Sequence, residues 1–298
     1  MQKLKTNAFE RGKTVLSIET CTTGIVGLGL MGGAFAYALR DCKAQSILAY
    51  DISGETLASA LKQGCIDEGF TTPQPMLCRC DLVFLCLAPS SLIRFMQEHI
   101  YSFKSGALLS DIAGIKGSIV AALESILRDD LDFIPGHPMT GSEKGGFAYA
   151  KNCSFKGKNY ILTPLERNKP ENLAFLKGLI RRFGFSRITE TNPADHDRKI
   201  AFTSQLCHVI AAALIDCQSD TGITRFGGGS FEDLTRIAQL NAPLWAELFI
   251  ENSAELLMRI EEFEGSLNTI KTLIADENRT ALVTMLQAVR DRRAAMDS

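Results

Sequence analysis

Short apolar runs alternate with longer amphipathic stretches between about residue 22 and residue 190 of this 298-residue chain. The apolar runs predict strands and read TGIVGLG, SILAYD, DLVFLCLAP, ALLSDIA, DFIPG, NYILTP and SRITE. The stretches between them have helical periodicity and read MGGAFAYALRD, SGETLASALKQG, SLIRFMQEHIYSF, IKGSIVAALESIL and ENLAFLKGLIRRFG. Strands separated by helix-length segments predict βαβ units and a parallel sheet covered on both faces. We therefore expect a doubly wound α/β domain.

The pattern changes after Asn192-Pro193. A long apolar helical stretch, KIAFTSQLCHVIAAALIDC, is followed by the break Gly227-Gly228-Gly229 and then by two or three further helical stretches. We see no strand pattern in this half, which predicts an all-helical C-terminal domain. So much apolar helical surface favours burial against a second copy of the chain, as a homodimer. The alternative is a bundle that satisfies its apolar surface internally.

Composition narrows the functional class. Hydrophobic residues make up 46% and charged residues 22%, and the net charge is −2, as in an ordinary globular protein. That charge gives no reason to expect nucleic acid or a membrane surface as partner. No apolar run approaches the roughly 20 residues of a spanning helix, and residues 1–21 lack a signal-peptide pattern. Nine scattered cysteines, with only a lone CxC, favour a reduced cytoplasmic protein without a metal site.

A glycine-rich segment follows the first predicted strand and opens a helix. It has the GxGxxG pattern of a dinucleotide-binding turn and comprises Gly27, Leu28, Gly29, Leu30, Met31 and Gly32. Asp51 ends the next predicted strand, where a carboxylate binds ribose hydroxyls and repels a 2′-phosphate. We therefore expect a Rossmann-type domain that binds NAD. The alternatives are a tight turn without ligand and, for Asp51, a strand-end cap.

Leu87, Ala88 and Pro89 end another predicted strand. The carboxyl edge of the sheet is where a bound cofactor passes, so these residues are candidates for cofactor contact. Ordinary packing explains them equally well. We expect the domains to be a tail at 1–21, the NAD-binding domain at 22–191 and the helical domain at 192–298.

The segment GHPMTGSEKGG supplies a candidate base. His137 lies between Gly136 and Pro138, and proline disfavours helix at the preceding residue. Imidazole titrates near neutrality, so it can accept a proton from a substrate hydroxyl. Glu143 follows six residues later. The alternative is a loop histidine with a structural hydrogen bond.

Two further polar positions lie in the helical half. His208 occurs on the long apolar helix, where a core histidine and a ligand-binding one are equally expected. Arg236 occurs in GSFEDLTRIA, near the middle of an apolar helical pattern. It suits either an ion pair with Asp233 at i, i+3 or bidentate capture of a substrate carboxylate.

Together these segments resemble the prephenate dehydrogenase family, which includes arogenate and cyclohexadienyl dehydrogenases. HPMTGSEKGG is similar to the family's HPMAGSEKSG-type segment, and GGGSFEDLTRIAQLNAPLW resembles its Gly-Phe-x-Asp-x-Thr-Arg-Ile-Ala segment with a later tryptophan. The resemblance spans about residues 22–260. It implies an N-terminal Rossmann-type domain, a C-terminal helical dimerisation domain, and NAD-dependent oxidative decarboxylation of prephenate in tyrosine biosynthesis.

The resemblance also implies roles for individual residues. His137 would hydrogen-bond the ring 4-hydroxyl of prephenate, His208 would line the pocket and Arg236 would bind a substrate carboxylate. The remaining matches to pocket positions of the family are Glu143, Gly229, Asp233 and Trp245.

Two positions depart from the family pattern. Gly114, in DIAGIK, stands where the family commonly has a serine, so a hydroxyl near His137 or the substrate is missing. Gln205 stands where the family often has a first histidine on the long helix, and it can still donate a hydrogen bond.

Other functions stay open. Arogenate differs from prephenate by an ammonium in place of a keto group, and prephenate is our default. GLGLMG also suits β-hydroxyacid dehydrogenases, but their helical Lys-x-x-x-Asn pair is absent, because Thr203 follows Lys199. A catalytically weak NAD-binding sensor is the third alternative, and Gly114 is its best support.

Overall fold

The computed structural model describes residues 16–141 and 145–296. In these residues there are nine strands: β1 Thr22–Val26, β2 Ser46–Tyr50, β3 Glu68–Phe70, β4 Leu82–Leu85, β5 Leu108–Asp111, β6 Asp132–Phe133, β7 Gly136–Pro138, β8 Asn159–Leu162 and β9 Arg187–Glu190. Every apolar run predicted to be a strand contains one. β3 and β7 were not predicted, because each is only three residues long and too short to show a periodicity.

Twelve α-helices lie in the described part of the chain: α1 Leu30–Asp41, α2 Gly54–Lys62, α3 Gln74–Leu77, α4 Pro89–His99, α5 Gly117–Glu124, α6 Pro170–Arg182, α7 Pro193–Ile200, α8 Leu206–Asp216, α9 Gly229–Thr235, α10 Ala242–Glu251, α11 Ser253–Ala275 and α12 Arg279–Ala295. Their ends follow local chemistry. Proline takes an early position in α3, α4 and α6, where its missing N–H costs nothing. The Ser53 hydroxyl caps α2 by accepting from the Thr56 amide at 3.2 Å.

The main sheet has six strands in the order β3-β2-β1-β4-β5-β6, and all its pairs are parallel. Alternate residues of β4 enter two separate apolar cores: Leu82 and Phe84 join one, and Val83 and Leu85 join the other. Both faces of the sheet are therefore covered, which confirms the doubly wound α/β fold. The strand order reverses between β1 and β4, and ligands bind at the carboxyl ends of strands at such a point.

A second, three-stranded sheet is a correction to the expected single parallel sheet. The runs NYILTP and SRITE form β8 and β9, which pair with each other and with β7 and not with the main sheet. β7 and β8 are antiparallel, with His137 opposite Ile161. The amides of Asp132 and Ile134 donate to carbonyl oxygens of the β5 segment, whereas the next amide facing it, that of Gly136, donates to the Asp111 side chain, so the parallel ladder ends after β6.

Contacts divide the chain into two units. The first comprises residues 16–196 together with Leu240–Leu248, and the second comprises Asp197–Gln239 and Phe249 onward. The described residues of the second unit are helical and contain no strand, as expected. The predicted domain boundaries at 21/22 and 191/192 stay a prediction. Arg236 is not inside a helix as expected: α9 ends at Thr235, and Arg236 begins a 3-10 turn that ends at Ala238.

One π-helical turn, Ala201–Gln205, joins α7 to α8. The resulting helix, Pro193–Asp216, is the one among the described residues that is long and apolar enough to cross a membrane by length and composition. From the apolar runs in the sequence we expected no helix long enough to span a membrane. A core helix of a soluble protein meets the same criteria, so this finding by itself does not indicate a membrane protein.

Candidate active site

The turn between β1 and α1 has the geometry of a dinucleotide-binding turn. Gly27 has φ +88°, and a Cβ on it would lie 2.7 Å from the Cys86 carbonyl oxygen. A Cβ on Gly32 would lie 1.9 Å from the Gly27 carbonyl oxygen, so only glycine lets α1 pack this closely against the turn. Both positions need glycine for the reasons that the sequence pattern predicts.

The space beside Gly29 in this turn is not filled by neighbouring side chains. A Cβ built on Gly29 meets nothing within 4 Å, and α1 begins at Leu30 without a side-chain cap or an acidic residue in its first turn among the described residues. The first amides of a helix have no intrahelical partner and carry a partial positive charge. The residues of this turn therefore fit an anionic group such as a pyrophosphate.

Asp51 directly follows β2 and contacts the same turn. Its Oδ2 accepts a hydrogen bond from the Leu28 amide at 2.7 Å, and its Oδ1 accepts from the Ser53 amide at 2.8 Å. The carboxylate thus holds the glycine-rich turn, which is close to the strand-end role weighed as the alternative. Each carboxylate oxygen can accept a further hydrogen bond, so ribose binding by Asp51 stays a prediction.

The residues after β4 lie beside the same turn. The Leu87 Cδ2 would be 3.0 Å from a Cβ on Gly27, and Ala88 and Pro89 lie at the start of α4. The Ser90 amide in the first turn of α4 donates to the Glu247 carboxylate at 2.5 Å. β1, β4 and β5 are neighbours in the sheet. The residues that follow these three strands therefore share one edge of the sheet, and cofactor contact by Leu87, Ala88 and Pro89 stays a prediction.

His137 lies on β7 and pairs with a second histidine that the sequence reasoning did not select. Its Nδ1 is 3.0 Å from the Nε2 of His196, and the two rings meet edge to face with centroids 5.2 Å apart. His196 is only 1% exposed. Burial, then the charges of His196 and Lys116, hold the pKa of His137 well below its usual value of 6.5. A neutral His137 can accept a proton.

A buried ion pair supports the strand that carries His137. The Lys116 ammonium lies 2.5 Å from Asp111 Oδ2, and both side chains have no exposed surface. The Asp111 Oδ1 accepts from the Gly136 amide at 3.0 Å, and its Oδ2 also accepts from the Ala113 amide at 2.9 Å. One carboxylate thus ties the DIAGIK segment to the residue before His137.

Gly114 lies next to the other nitrogen of His137, and Leu248 lies next to Gly114. A Cβ on Gly114 would be 3.8 Å from His137 Nε2 and 3.3 Å from the Leu248 Cδ2. Trp245, three residues earlier on α10, is partly buried against the core of the same unit. The structure therefore brings His137, Gly114 and α10 together in the first unit.

The other predicted substrate residues belong to the second unit: Gln205, His208, Gly229, Asp233 and Arg236. The His208 Nδ1 donates to the Ser204 carbonyl oxygen at 2.9 Å. The Gln205 side chain is buried, and its Oε1 accepts from Asn252 Nδ2 at 2.7 Å. Gly229, Asp233 and Arg236 are exposed around α9. Glu143 lies outside the described residues.

Four residues at this site were not selected from the sequence. His196 occurs in the polar stretch ADHDRK, where no local pattern distinguishes it from an exposed helical histidine. Asp111 and Lys116 were noted only as neighbours of Gly114, although a charged residue at the end of an apolar run was a usable signal. Leu248 reads as an ordinary core residue of an apolar helix.

Comparison with known proteins decides the family. The model of the prephenate dehydrogenase nucleotide-binding domain matches residues 35–188, and that of the prephenate dehydrogenase dimerization domain matches residues 192–288. The chain belongs to the prephenate dehydrogenase family. This confirms the resemblance inferred from the HPMTGSEKGG and GGGSFEDLTRIA segments, and the β-hydroxyacid dehydrogenase alternative is set aside.

Similar proteins within the family have different names. A crystal structure of prephenate dehydrogenase from A. aeolicus, in complex with hydroxyphenyl propionate and NAD+, is 32% identical with a TM-score of 0.83, covering 94% of this chain and 100% of that one. The cyclohexadienyl dehydrogenase of Zymomonas mobilis is 29% identical, over 91% of this chain and 94% of its own. Synechocystis arogenate dehydrogenase is 26% identical with a TM-score of 0.77, over 92% and 99%. The protein is thus an oxidoreductase of the prephenate, cyclohexadienyl and arogenate dehydrogenase family.

Proposed function

We propose that this protein catalyses the NAD-dependent oxidative decarboxylation of prephenate to 4-hydroxyphenylpyruvate, with His137 as the proton acceptor. The observation that carries the proposal is a partly buried imidazole with a lowered pKa whose Nε2 faces the segment after β5. That segment shares its sheet edge with the glycine-rich turn after β1. A proton acceptor and a cradle for an anionic cofactor on one edge fit a dehydrogenase better than a binding module.

NAD+ supplies a hydride acceptor when it is bound, and the glycine-rich turn with the amides of α1 would hold its pyrophosphate. Asp51 favours NAD over NADP, since a carboxylate repels a 2′-phosphate. The protein's own residues orient the ring of prephenate and take its hydroxyl proton at His137 Nε2. The C4 hydrogen of the substrate leaves as hydride, its ring carboxylate leaves as carbon dioxide, and the ring becomes aromatic. His137 then returns the proton to the ring oxygen, which gives the phenol of 4-hydroxyphenylpyruvate. Positioning and proton acceptance are the main demands on the enzyme.

The resemblance to the family adds proposed substrate-binding roles for residues of the second unit. Arg236 binds a carboxylate of the dianionic substrate, because a guanidinium makes two parallel hydrogen bonds with it. By the same resemblance His208 would line the substrate pocket, and Gln205 lies three residues before it on the same long helix. Family resemblance adds Glu143, Gly229, Asp233 and Trp245. We propose a cytoplasmic homodimer, which the match to a dimerization domain supports.

Arogenate is the second candidate substrate, and the similarity to Synechocystis arogenate dehydrogenase favours it. The reaction at the ring is the same, so His137 keeps its role. The product would then be tyrosine, because the side chain carries an ammonium in place of the keto group.

NADH formation at 340 nm tests both candidates, with prephenate and arogenate each offered with NAD+ and NADP+. We expect turnover with prephenate and NAD+, and its loss in His137→Ala. His99→Ala is the matched control, because His99 ends α4 and contacts Gln74 and Phe95. Turnover with arogenate alone would change the substrate and keep the mechanism. Binding of NAD+ without turnover of either substrate would support the sensor alternative.

A further inference from the structure

We propose that His196 is a positioning residue: it accepts the Nδ1–H of His137 and thereby keeps His137 Nε2 unprotonated for the substrate. The use of Nε2 as a base rests on the proposed function. The tautomer itself is a property of the protein alone and can be measured without substrate.

The contact is built from two elements of the first unit. His137 is fixed on β7 by its pairing with Ile161 of β8. His196 lies on α7, where its amide donates to the Asn192 carbonyl oxygen at 2.9 Å. Both backbones are therefore held, and the rings meet with Nδ1 and Nε2 3.0 Å apart and an interplanar angle of 61°.

A hydrogen bond between two neutral imidazoles needs one N–H and one bare nitrogen. If His137 Nδ1 were the bare nitrogen, its only proton would be on Nε2, and Nε2 could not accept another. The opposite arrangement puts the proton on His137 Nδ1 and leaves the lone pair on Nε2. The Nε2 position is the one that faces Gly114, where a Cβ would be 3.8 Å away. Only this tautomer makes His137 a base towards that side.

Burial and nearby charge keep His137 itself neutral before reaction. Lys116 and His196 are the charged or titratable groups that act on His137 in the described structure, and Lys116 is paired with Asp111. A second proton on His137 would meet this nearby cation in a buried setting. His137 therefore has one proton at rest, and His196 decides which nitrogen carries it.

The same contact serves the proton transfer. As the substrate O–H bond breaks, an N–H bond forms at His137 Nε2 and the ring becomes an imidazolium. Its Nδ1–H then donates to His196 Nε2 as a charge-assisted hydrogen bond, which is stronger than the neutral one at rest. His196 thus acts through His137 and does not need to touch the substrate.

The merely structural explanation is that the two rings satisfy each other's polar atoms in the core. That explanation predicts that replacing His196 changes the stability of the protein and nothing else that is specific to the polar atom of the replacement. Under it, the variants His196→Gln and His196→Phe would differ only in stability. Comparing these two substitutions therefore separates the explanations.

The first measurement is the 15N NMR spectrum of the histidine rings, which number only four in this chain. In the wild type at pH 7 we expect His137 to be protonated at Nδ1 and bare at Nε2. In His196→Phe, which removes the acceptor and keeps an aromatic ring, we expect the proton to move towards Nε2. His196→Gln offers an amide oxygen near the position of the lost ring nitrogen, so we expect it to keep the Nδ1–H tautomer. Finding the proton of His137 on Nε2 in the wild type would overturn the proposal.

The second measurement is steady-state kinetics of the same variants with the substrate that the wild type turns over. We expect kcat to fall about 100-fold in His196→Phe with KM changed little, since a misplaced catalytic group costs about that much. His196→Gln should recover at least about a tenth of the wild-type kcat, and His99→Phe should leave it unchanged. Equal losses in the Phe and Gln variants would contradict a positioning role.

These outcomes separate this inference from the proposed function. A wild type without turnover contradicts the function, whereas the NMR spectrum still decides the tautomer. A wild type with turnover and an unaffected His196→Phe variant contradicts only the role of His196.

Discussion

At the scale of single residues, the setting of His137 determines the pH range of activity. Burial, His196 and Lys116 hold its pKa well below 6.5, so the ring stays neutral in the folded protein down to pH values at which a free histidine is charged. The basic form is the active one, so kcat/KM is lost only as pH falls through this lowered pKa.

We therefore expect the acidic limb of kcat/KM to lie below pH 6.5. The profile of kcat/KM reports groups of the free enzyme, and the neutral His137 is one of them. The stability of the fold changes with pH in the same direction. The unfolded chain binds a proton near pH 6.5 that the folded His137 does not bind, so the contribution of His137 to the free energy of unfolding is lost as pH falls below 6.5. An acidic limb above pH 6.5 would contradict a lowered pKa at His137.

Gly114 is a second position with a clear consequence. In Gly114→Ser the new Cβ would be 3.8 Å from His137 Nε2, within reach of a hydroxyl bond, while Leu248 has to yield by a few tenths of an ångström from 3.3 Å. We expect kcat to rise by about 2- to 10-fold, the value of one net hydrogen bond of about 0.5–1.5 kcal/mol. Gly114→Ala is the control, since it adds the Cβ without the hydroxyl. Equal rates in the two variants would exclude a role for the hydroxyl.

The buried Asp111–Lys116 ion pair is a third feature whose replacement has a clear consequence. Lys116→Met leaves the Asp111 charge buried without its cation, and breaking a buried pair costs about 3–5 kcal/mol of unfolding free energy. Urea denaturation measures the loss. Arg79→Met, which breaks the exposed pair with Glu68, is the control and should change stability far less. Similar midpoints for the two variants would show that Asp111 is not desolvated.

At the scale of elements, the β1–α1 unit combines packing and binding in one turn. Gly32→Ala places a Cβ 1.9 Å from the Gly27 carbonyl oxygen, so α1 must separate from the turn. We expect this variant to lose both stability and NADH binding. Gly29→Ala is the matched variant: its Cβ meets no protein atom within 4 Å, so stability should be kept while the Cβ enters the anion cradle. NADH fluorescence and urea denaturation give the two readouts. A Gly29→Ala variant with normal NADH affinity would place the cofactor elsewhere.

β7 shows how a short element serves a site. It has only three residues, but its pairing with β8 and the Asp111 bond to the Gly136 amide hold its backbone through two separate sets of hydrogen bonds. A loop with His137 in the same place would have to order the ring at the cost of its own conformational entropy.

At the scale of the whole molecule, the second unit has too little core to cover its own helices. None of the residues of α12 is buried, and at least half of the surface of Val283, Leu286 and Val289 is exposed. Such a surface indicates an interface, and the chain matches a dimerization domain.

We therefore expect light scattering to give twice the chain mass of 32.6 kDa. Leu286→Asp should shift the protein towards the monomer, because it buries a charge in an apolar interface. Gln287→Asp, at an exposed polar position of the same helix, is the control and should stay dimeric. A monomeric wild type would contradict the homodimer.

The local sequence pattern was sufficient to predict most secondary-structure elements and the family. The apolar runs located every strand of the main sheet except the short β3, since period-two and helical patterns depend only on neighbours in sequence. The glycine-rich turn was predicted for the same reason, because its backbone requirements are local. Each of the two segments that resemble the family is also a single continuous stretch of sequence, so it could be recognised without the fold.

Only the tertiary structure decided how distant segments meet. It separated β8 and β9 into a second sheet, turned Asp51 onto the Leu28 amide, and placed His196 against His137, 59 residues away. Periodicity shows that a residue is buried and on which face of its own element, but not which side chain it meets. That choice is made when elements far apart in sequence pack together and their buried polar atoms find partners.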